Sequence, residues 1–354
     1  MACLENCVIT PEDLILVTGA GGFIGSRVVN SLLECGFLNI RCLVRPSSET
    51  VPLKQVLAQH ASPTARIIVG NLLSREDCAA ASRDVSVVIH LVTGRGKSFP
   101  GCYLNSVVTT RNLLDACRSA TNLRRFVNVS TFAVHSNLKL LRGGVFDESC
   151  PLEDELEQRH DAYVYAKLRQ DQLVQKYHQE YGIPYVTVRP SAVIGPGKHG
   201  IPAHVGIGTF GLFLHIGGSI RVPLTYVDNC ADAIALAALK PGVEGEVFQV
   251  VDDDLPRSRS FLKQYKSNVR RFKSVYVPYP FFYLFCALWE KYSGWSQGQL
   301  PPVFNRRMGA FYWKGHRYSN RNLKEKLGWK PRVPMAEALK RYFVYQKEIS
   351  AGHA

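Results

Sequence analysis

Ten cysteines are scattered through the 354 residues. They form no CxxC pair and no repeated spacing, so the usual zinc patterns are excluded and no disulfide framework is expected. A reducing compartment is the simpler setting, and the chain is read as cytoplasmic. The N-terminal stretch MACLENCVITPEDLILVTGAG has no basic segment and no long apolar run before its first strand, so no secretory leader is expected. No window reaches the roughly 18–20 apolar residues of a membrane span. The longest candidate, VPYPFFYLFCALWEKY, is too short and carries Pro278 and Pro280. Internal repeats and low-complexity tracts are also missing, which removes solenoid architectures.

Acidic residues are scarce in one place. The chain has 43 Lys and Arg against 29 Asp and Glu. Between Leu255 and Lys330 there are sixteen basic residues and two acidic ones, so the whole excess of +14 sits within 76 residues. The same window holds 18 of the 37 Phe, Trp and Tyr residues. Three readings of it stand side by side. The cations could hold a pyrophosphate. Residues 255–330 could make a peripheral contact with an anionic membrane, with the aromatics at the interface. Or the aromatics form a small core and the charges its solvated face. No nucleic-acid recognition motif accompanies the charge, so nucleic acid is not expected as a partner.

What is present is an ordinary globular composition, 46% apolar and 20% charged. The length suits one large α/β domain with a smaller lobe. LILVTGAGGFIGSRVVNSLLECG reads as a buried strand, a glycine turn and a helix. IRCLVR, ARIIVGNL, VSVVIHLV, RFVNVSTFAV and PYVTVRPSAVIG are further strands, separated by helical VPLKQVLAQH, YLNSVVTTRNLLDACRSA and VYAKLRQDQLVQKYHQEYG. Gly182 is the expected cap of the last of these helices. The alternation predicts an α/β fold, a Rossmann-type doubly wound parallel sheet with a smaller C-terminal substrate lobe. The expected boundaries are 12–190 plus 222–252 for the dinucleotide domain and 191–221 plus 253–354 for the lobe. GPGKHGIPAHVGIGTFGLFLHIGG is expected to be loops with short helices.

TGAGGFIG, Thr18 to Gly25, follows a strand and opens a helix, the context a dinucleotide fingerprint requires. Gly19 permits the tight turn, Gly22 the approach of a pyrophosphate, and Gly25 close packing of helix on sheet. The helix N-terminus then offers free N–H groups to phosphate. About 20 residues further on, a free ribose 2′-hydroxyl usually meets an acid. Here CLVRPSS places Arg45 at that point, followed by Ser47 and Ser48. A guanidinium suits a 2′-phosphate, so NADP(H) is favoured and NAD(H) is the alternative.

DAYVYAKLRQ, residues 161–170, puts Tyr163 and Lys167 four apart, on one face of a helix. Tyr165 is out of phase and is read as packing. In order along the chain, TGAGGFIG, NVST, YVYAK and VRPSAVIGPG resemble the extended short-chain dehydrogenase/reductase superfamily, which includes the NAD-dependent epimerases and dehydratases. The resemblance runs to the closing EKLGWKP. It implies that Tyr163 and Lys167 are catalytic, with Thr131 beside Ser130 as the hydroxyl residue after the fifth strand and Asn105 as the helix asparagine supporting the lysine through water. His135 stands where the family has a tyrosine. Cofactor contacts are implied for Phe23 and Ile24 of the glycine loop, Asn71 and Leu72 of VGNL, and Leu91, Val92 and Thr93 of HLVTGRG. Pro190, Val193, Tyr163 and Lys167 are implied as further contacts. Asn71 replaces the acid usual near the adenine. A homodimer through the helices after strands four and five is also implied.

A tyrosine with pKa about 10 is a poor base at neutral pH. A lysine cation about 4 Å away is worth about 4 kcal/mol at an effective dielectric near 20, enough to bring a phenol toward 7. A hydroxyl such as that of Thr131 can position the substrate oxygen. CLVRPSS and LTYVDNCADA resemble the branch of 3β-hydroxysteroid dehydrogenases and dihydroflavonol reductases, which act on hydrophobic secondary alcohols and ketones. A nucleotide-sugar epimerase, dehydratase or reductase using the same residues is the alternative. A cofactor-binding scaffold or sensor without turnover is the second.

Overall fold

The computed structural model describes residues 6–352 apart from 61–63, 95, 97, 210, 298 and 301–303. Its centre is a seven-stranded sheet in which every neighbouring pair is parallel. The strands are β1 (Leu14–Thr18), β2 (Ile40–Val44), β3 (Arg66–Val69), β4 (Val85–His90), β5 (Arg125–Val129), β6 (Tyr185–Pro190) and β7 (Val247–Val250). Their order across the sheet is β7-β6-β5-β4-β1-β2-β3. The order reverses between β1 and β4, and a crevice opens beyond the carboxyl ends of these strands.

Strand period two divides the core. Ile15 and Val17 of β1 face one layer with helix α1 (Gly25–Glu34) and helix α6 (Val227–Leu239). Leu16 faces the other, with α3 (Arg75–Ser82), α4 (Thr109–Cys117) and α5 (Ala162–Tyr181). The short helix α2 (Val51–His60) covers the β2 side. Helix α5 starts where the Asp161 carboxylate accepts from the N–H groups of Tyr163 and Val164, both at 3.1 Å. It ends at Gly182, whose φ of 69° is the left-handed cap that glycine allows. The segment before α4 is helical from Phe99 but underwound into one π-turn at Leu104–Val108.

Two expectations change here. PYVTVRPSAVIG is not one strand: the chain leaves the sheet at Ser191, and Ala192–Ile194 pairs instead with Leu224–Tyr226. Residues 196–218 contain no helix among those described. Gly206–Thr209 and Leu212–His215 form an antiparallel hairpin, with Ser274–Tyr276 added in parallel. Glycine frequency suggested loops, but alternating Phe213 and His215 turn inward and supply a strand pattern. Ile194, Val205, Leu224, Phe261, Met335 and Leu339 belong to a second core, drawn from both sides of the crossing at 224–227. Around it and beyond lie helices α7 (Tyr279–Trp295), α8 (Arg306–Trp313) and α9 (Met335–Gly352). Among the described residues no helix is long and apolar enough to cross a membrane.

Candidate active site

The glycine loop occupies the crevice edge as its spacing requires. Gly19 has φ 74°, where a side chain would be strained. A Cβ on Gly25 would lie 2.1 Å from the Gly19 carbonyl oxygen, so helix and loop touch backbone to backbone. A Cβ on Gly22 would meet only that same oxygen, at 3.1 Å, and otherwise open space. No side chain caps the first turn of α1, and no acid lies in it. This geometry leaves room for a phosphate-bearing group to approach the backbone.

The cleft has a volume of about 600 Å³. Its floor is the glycine loop, the ends of β4, β5 and β6, and the start of α5. Its far wall is the segment 198–204 with Phe311 and Tyr312 of α8. Of the sequence-predicted residues, Gly19, Gly22, Phe23, Ile24, Gly25, Leu91, Thr93, Thr131, Tyr163, Lys167, Pro190 and Val193 line it. The others do not. Arg45 and Ser47 are exposed at the end of β2, where the Ser48 hydroxyl accepts from the Arg45 N–H at 3.1 Å. Asn71 is exposed at the end of β3, and its side-chain oxygen accepts from the Leu73 N–H. Leu72 and Val92 turn into the core beneath the sheet. Asn105 does not line the cleft: its amide donates to the Gly101 carbonyl of its own helix at 2.9 Å. The π-turn directs the next residue inward instead, and the buried Ser106 hydroxyl accepts from the Gly94 N–H at 2.8 Å.

The lysine is held by other residues. Lys167 is buried and donates to the Val129 carbonyl at 2.7 Å and to the Gln170 side-chain oxygen at 2.9 Å. Gln170 donates to the Thr110 hydroxyl at 2.8 Å, and Thr110 donates to the Ser106 carbonyl. With its proton so placed, Thr110 accepts from His90 Nε2, 2.9 Å away. His90 Nδ1 is then the acceptor for the Thr18 hydroxyl at 2.8 Å. Burial holds His90 neutral, its pKa pushed down to about 3. A closed chain of hydrogen bonds thus runs from the residue before the glycine loop to the lysine of α5. Sequence reading missed Gln170, Thr110 and His90. Their signal was three polar residues on faces that otherwise pack inward.

His135 has a structural explanation. It is buried, and its Nε2 accepts from Arg189 at 2.9 Å while Nδ1 donates to the Cys150 carbonyl at 2.7 Å. Arg189 in turn pairs with Asp171 at 2.9 Å. Burial, with the Arg189 cation beside it, pushes the His135 pKa down to about 4. The imidazole therefore ties β6 to the turn after β5. Tyr165 packs edge-on against Phe99 at 5.6 Å.

Among the described residues, three buried polar atoms of cleft-lining residues have no hydrogen-bond partner. The Ser130 and Ser191 hydroxyls and His204 Nε2 are buried without a hydrogen bond. All three residues line the cleft. Thr131 differs, since its hydroxyl already accepts from the Ala133 N–H at 3.3 Å. Burial pushes His204 down to about 3, so it is a neutral group among Phe132, Phe311 and Tyr312. Unpaired buried polar atoms are costly, and three around one cleft mark where a ligand supplies partners.

The profile of the NAD dependent epimerase/dehydratase family matches residues 15–250, two thirds of the chain. The chain belongs to that family. This family is of the extended short-chain dehydrogenase/reductase type. A trifunctional UDP-glucose 4,6-dehydratase/UDP-4-keto-6-deoxy-D-glucose 3,5-epimerase/UDP-4-keto-L-rhamnose-reductase of Arabidopsis thaliana is 27% identical over 263 residues. That alignment covers 68% of this chain but only 37% of the relative. A 3beta-hydroxysteroid-dehydrogenase/decarboxylase of the same organism is 24% identical over 94% of this chain and 80% of its own length. Among solved structures, the UDP-glucuronic acid 4-epimerase of Bacillus cereus in complex with NAD superposes with a TM-score of 0.70. It is 21% identical, covering 95% of this chain and 99% of that one, and this likeness concerns the fold.

Proposed function

We propose that this family member is an NAD(P)-dependent oxidoreductase working at a C–OH/C=O centre, with Tyr163 as acid–base. The observation that carries the reading is the buried Lys167, fixed by Gln170 and Val129 one helical turn from Tyr163 on the cleft wall. A bound nicotinamide supplies or accepts the hydride. Tyr163 exchanges the proton at the substrate oxygen, and the Lys167 cation favours the phenolate. Thr131 and Ser130 position that oxygen from the end of β5. The glycine loop, with its backbone contact at Gly25 and its open side at Gly22, fits the cofactor pyrophosphate.

NADP(H) is the proposed cofactor. Arg45 is exposed at the end of β2, and no ion pair holds it among the described residues. It follows the strand where an acid would bind the 2′-hydroxyl. The acid nearby, Glu49, is engaged: its carboxylate accepts from the Val51 N–H at 2.8 Å at the start of α2.

The curated relatives back a nucleotide sugar more strongly than a sterol-like alcohol. Besides the plant enzyme above, a Bacillus subtilis protein named as an uncharacterized UDP-glucose epimerase is 27% identical, covering 67% of this chain and 76% of its own. The cleft favours the hydrophobic class. Its substrate end is Phe132, Val164, Ile201, Pro202, Phe311 and Tyr312, and no arginine stands among the described lining residues. A pyrophosphate is usually gripped by bidentate guanidinium groups, and here only Lys167 and Lys198 are available as cationic side chains of that wall. We therefore propose a hydrophobic secondary alcohol or ketone as substrate and keep the nucleotide sugar as the second reading.

One experiment separates them. The purified protein is offered NADPH and NADP with a panel of 3-hydroxysteroids, flavanonols and UDP-sugars, and nicotinamide absorbance and product are followed. Net redox on the apolar panel supports the first reading. Isomerised or dehydrated UDP-sugar without net cofactor consumption supports the second. Tyr163→Phe should keep cofactor binding and lose turnover at least 100-fold, the usual scale of general acid–base catalysis. Full activity in that variant would remove the mechanism. Cofactor binding without turnover on either panel would point to a silent scaffold.

A further inference from the structure

Helix α7 has one face inside the protein and one outside. Inside, Phe282 and Cys286 are buried, and Phe282 meets Trp313 of α8 edge-on at 4.8 Å. Glu290 fastens the same side by accepting from the Arg306 backbone N–H at 2.6 Å and its Nε at 2.7 Å. Outside are Phe281, Leu284, Phe285, Leu288, Tyr292 and Trp295, which follow one stripe of the helix and are 43–78% exposed. They are six of the eighteen large exposed apolar side chains among the described residues. Val275 and Tyr276 of the adjoining strand are exposed too and extend the patch. Scattered exposed leucines need no explanation, but a continuous aromatic and leucine stripe does.

The charge around the patch restricts what covers it. Lys263, Arg270, Arg271, Lys273 and Lys291 are all exposed. They belong to the Leu255–Lys330 segment that carries the whole +14 of the chain. A second copy would set this field against itself, since the same patch would face the same patch. An exposed apolar stripe of Phe, Leu, Tyr and Trp within a segment rich in exposed Lys and Arg is instead the composition of a helix lying in a bilayer interface. Its cations attract an anionic leaflet. The single helix is too short and too mixed to span, in keeping with the absence of a crossing helix among the described residues.

We propose that α7 and the strand Ser274–Tyr276 form a peripheral docking face that lies in the headgroup region of an anionic lipid bilayer. The three readings of the basic, aromatic window thereby reduce to a division of labour: Phe282 and Trp313 are core, and the outward residues meet lipid. Docking places α8 between the bilayer and the cleft, with Phe311 and Tyr312 on the cleft side. A membrane-dissolved substrate would then enter beside these rings. That last step rests on the hydrophobic-substrate reading, while the docking itself does not.

The test uses the full chain and large unilamellar vesicles of phosphatidylcholine, alone or with about 30% phosphatidylserine to give the leaflet its negative potential. The protein should sediment with the anionic vesicles, and high salt should release it. Trp295 should shift its emission to the blue on binding, and Trp295→Phe should lessen that shift. Leu284→Asp with Leu288→Asp should weaken partition at least tenfold while circular dichroism and the melting curve stay unchanged, since both side chains already face solvent. Lys273→Glu and Lys291→Glu should each weaken it about fivefold or more. Failure to sediment with either vesicle would overturn the proposal. So would equal binding by the double aspartate variant. Light scattering that shows a dimer dissolved by the aspartates would assign the face to a second copy instead, and that result also overturns it.

Discussion

Replacing Gln170 by leucine tests whether the buried chain of hydrogen bonds holds the lysine. The side chains are close in size, so little cavity is created. Two bonds vanish: Lys167 to the Gln170 oxygen at 2.9 Å and the Gln170 amide to Thr110 at 2.8 Å. Thr110 keeps His90 Nε2 as a donor, so its loss is modest. Lys167 is only 2% exposed, and water cannot readily replace the missing acceptor. A hydrogen bond to a charged group is worth about 1.5–3 kcal/mol and a neutral one about 0.5–1.5 kcal/mol. The added apolar contact of leucine returns about 1 kcal/mol. The net expectation is a loss of about 1–3.5 kcal/mol, read as a lower urea midpoint with an unchanged slope. Gln170→Glu keeps an acceptor for the ammonium and should recover most of the turnover that Gln170→Leu loses. A leucine variant within about 0.5 kcal/mol of the parent, with full turnover, would refute the role of the chain.

Gly25→Ala should abolish cofactor binding and lower stability by about 1–3 kcal/mol, because its Cβ meets the Gly19 carbonyl and neither backbone can yield freely. Nicotinamide fluorescence and thermal melting check it, and unchanged NADPH affinity would contradict the cradle. Arg45→Asp should move the preference from NADP(H) toward NAD(H) by tenfold or more, seen in the ratio of the two dissociation constants. Burial holds His90 and His204 down to about 3 and His135 and His316 to about 4, so protonation favours the unfolded chain. Stability is complete above about 6.5 and falls as pH drops toward 4, by about 2 kcal/mol for each histidine between pH 7 and 5. Asp252 acts in the opposite sense, since burial raises it to about 6 and its protonation favours the fold, offsetting about 1 kcal/mol. Urea unfolding at the two pH values should therefore show a loss of several kcal/mol, and equal midpoints would count against neutral buried imidazoles.

The local signals were strong where chemistry leaves little choice. Three glycines after an apolar strand specify a loop that side chains cannot enter, and the structure gives Gly19 its positive φ and Gly25 its backbone contact. Asp161 and Gly182 bracket helix α5 because one caps N–H groups and the other tolerates a left-handed backbone. Tyr163 and Lys167 share a face through the helical repeat alone. The hairpin at 206–215 was not legible, because Gly206 and Gly208 disguise one of its strands and the third strand, Ser274–Tyr276, joins it from far along the chain.

Sequence by itself determined the alternation of strands and helices, the glycine loop and the tyrosine–lysine spacing, all of which arise from neighbours within a few residues. Only the tertiary structure decided what holds the lysine. In the π-turn after Tyr103 the Asn105 amide bonds to Gly101 and Ser106 turns inward, while Gln170, Thr110 and His90 meet from two helices and a strand. The same holds for the basic, aromatic segment. Its composition could not say which rings face inward, because a helix buries one side only when another helix is there to receive it. Packing of Phe282 on Trp313 settles that choice, and it leaves Phe281, Leu288 and Trp295 facing outward.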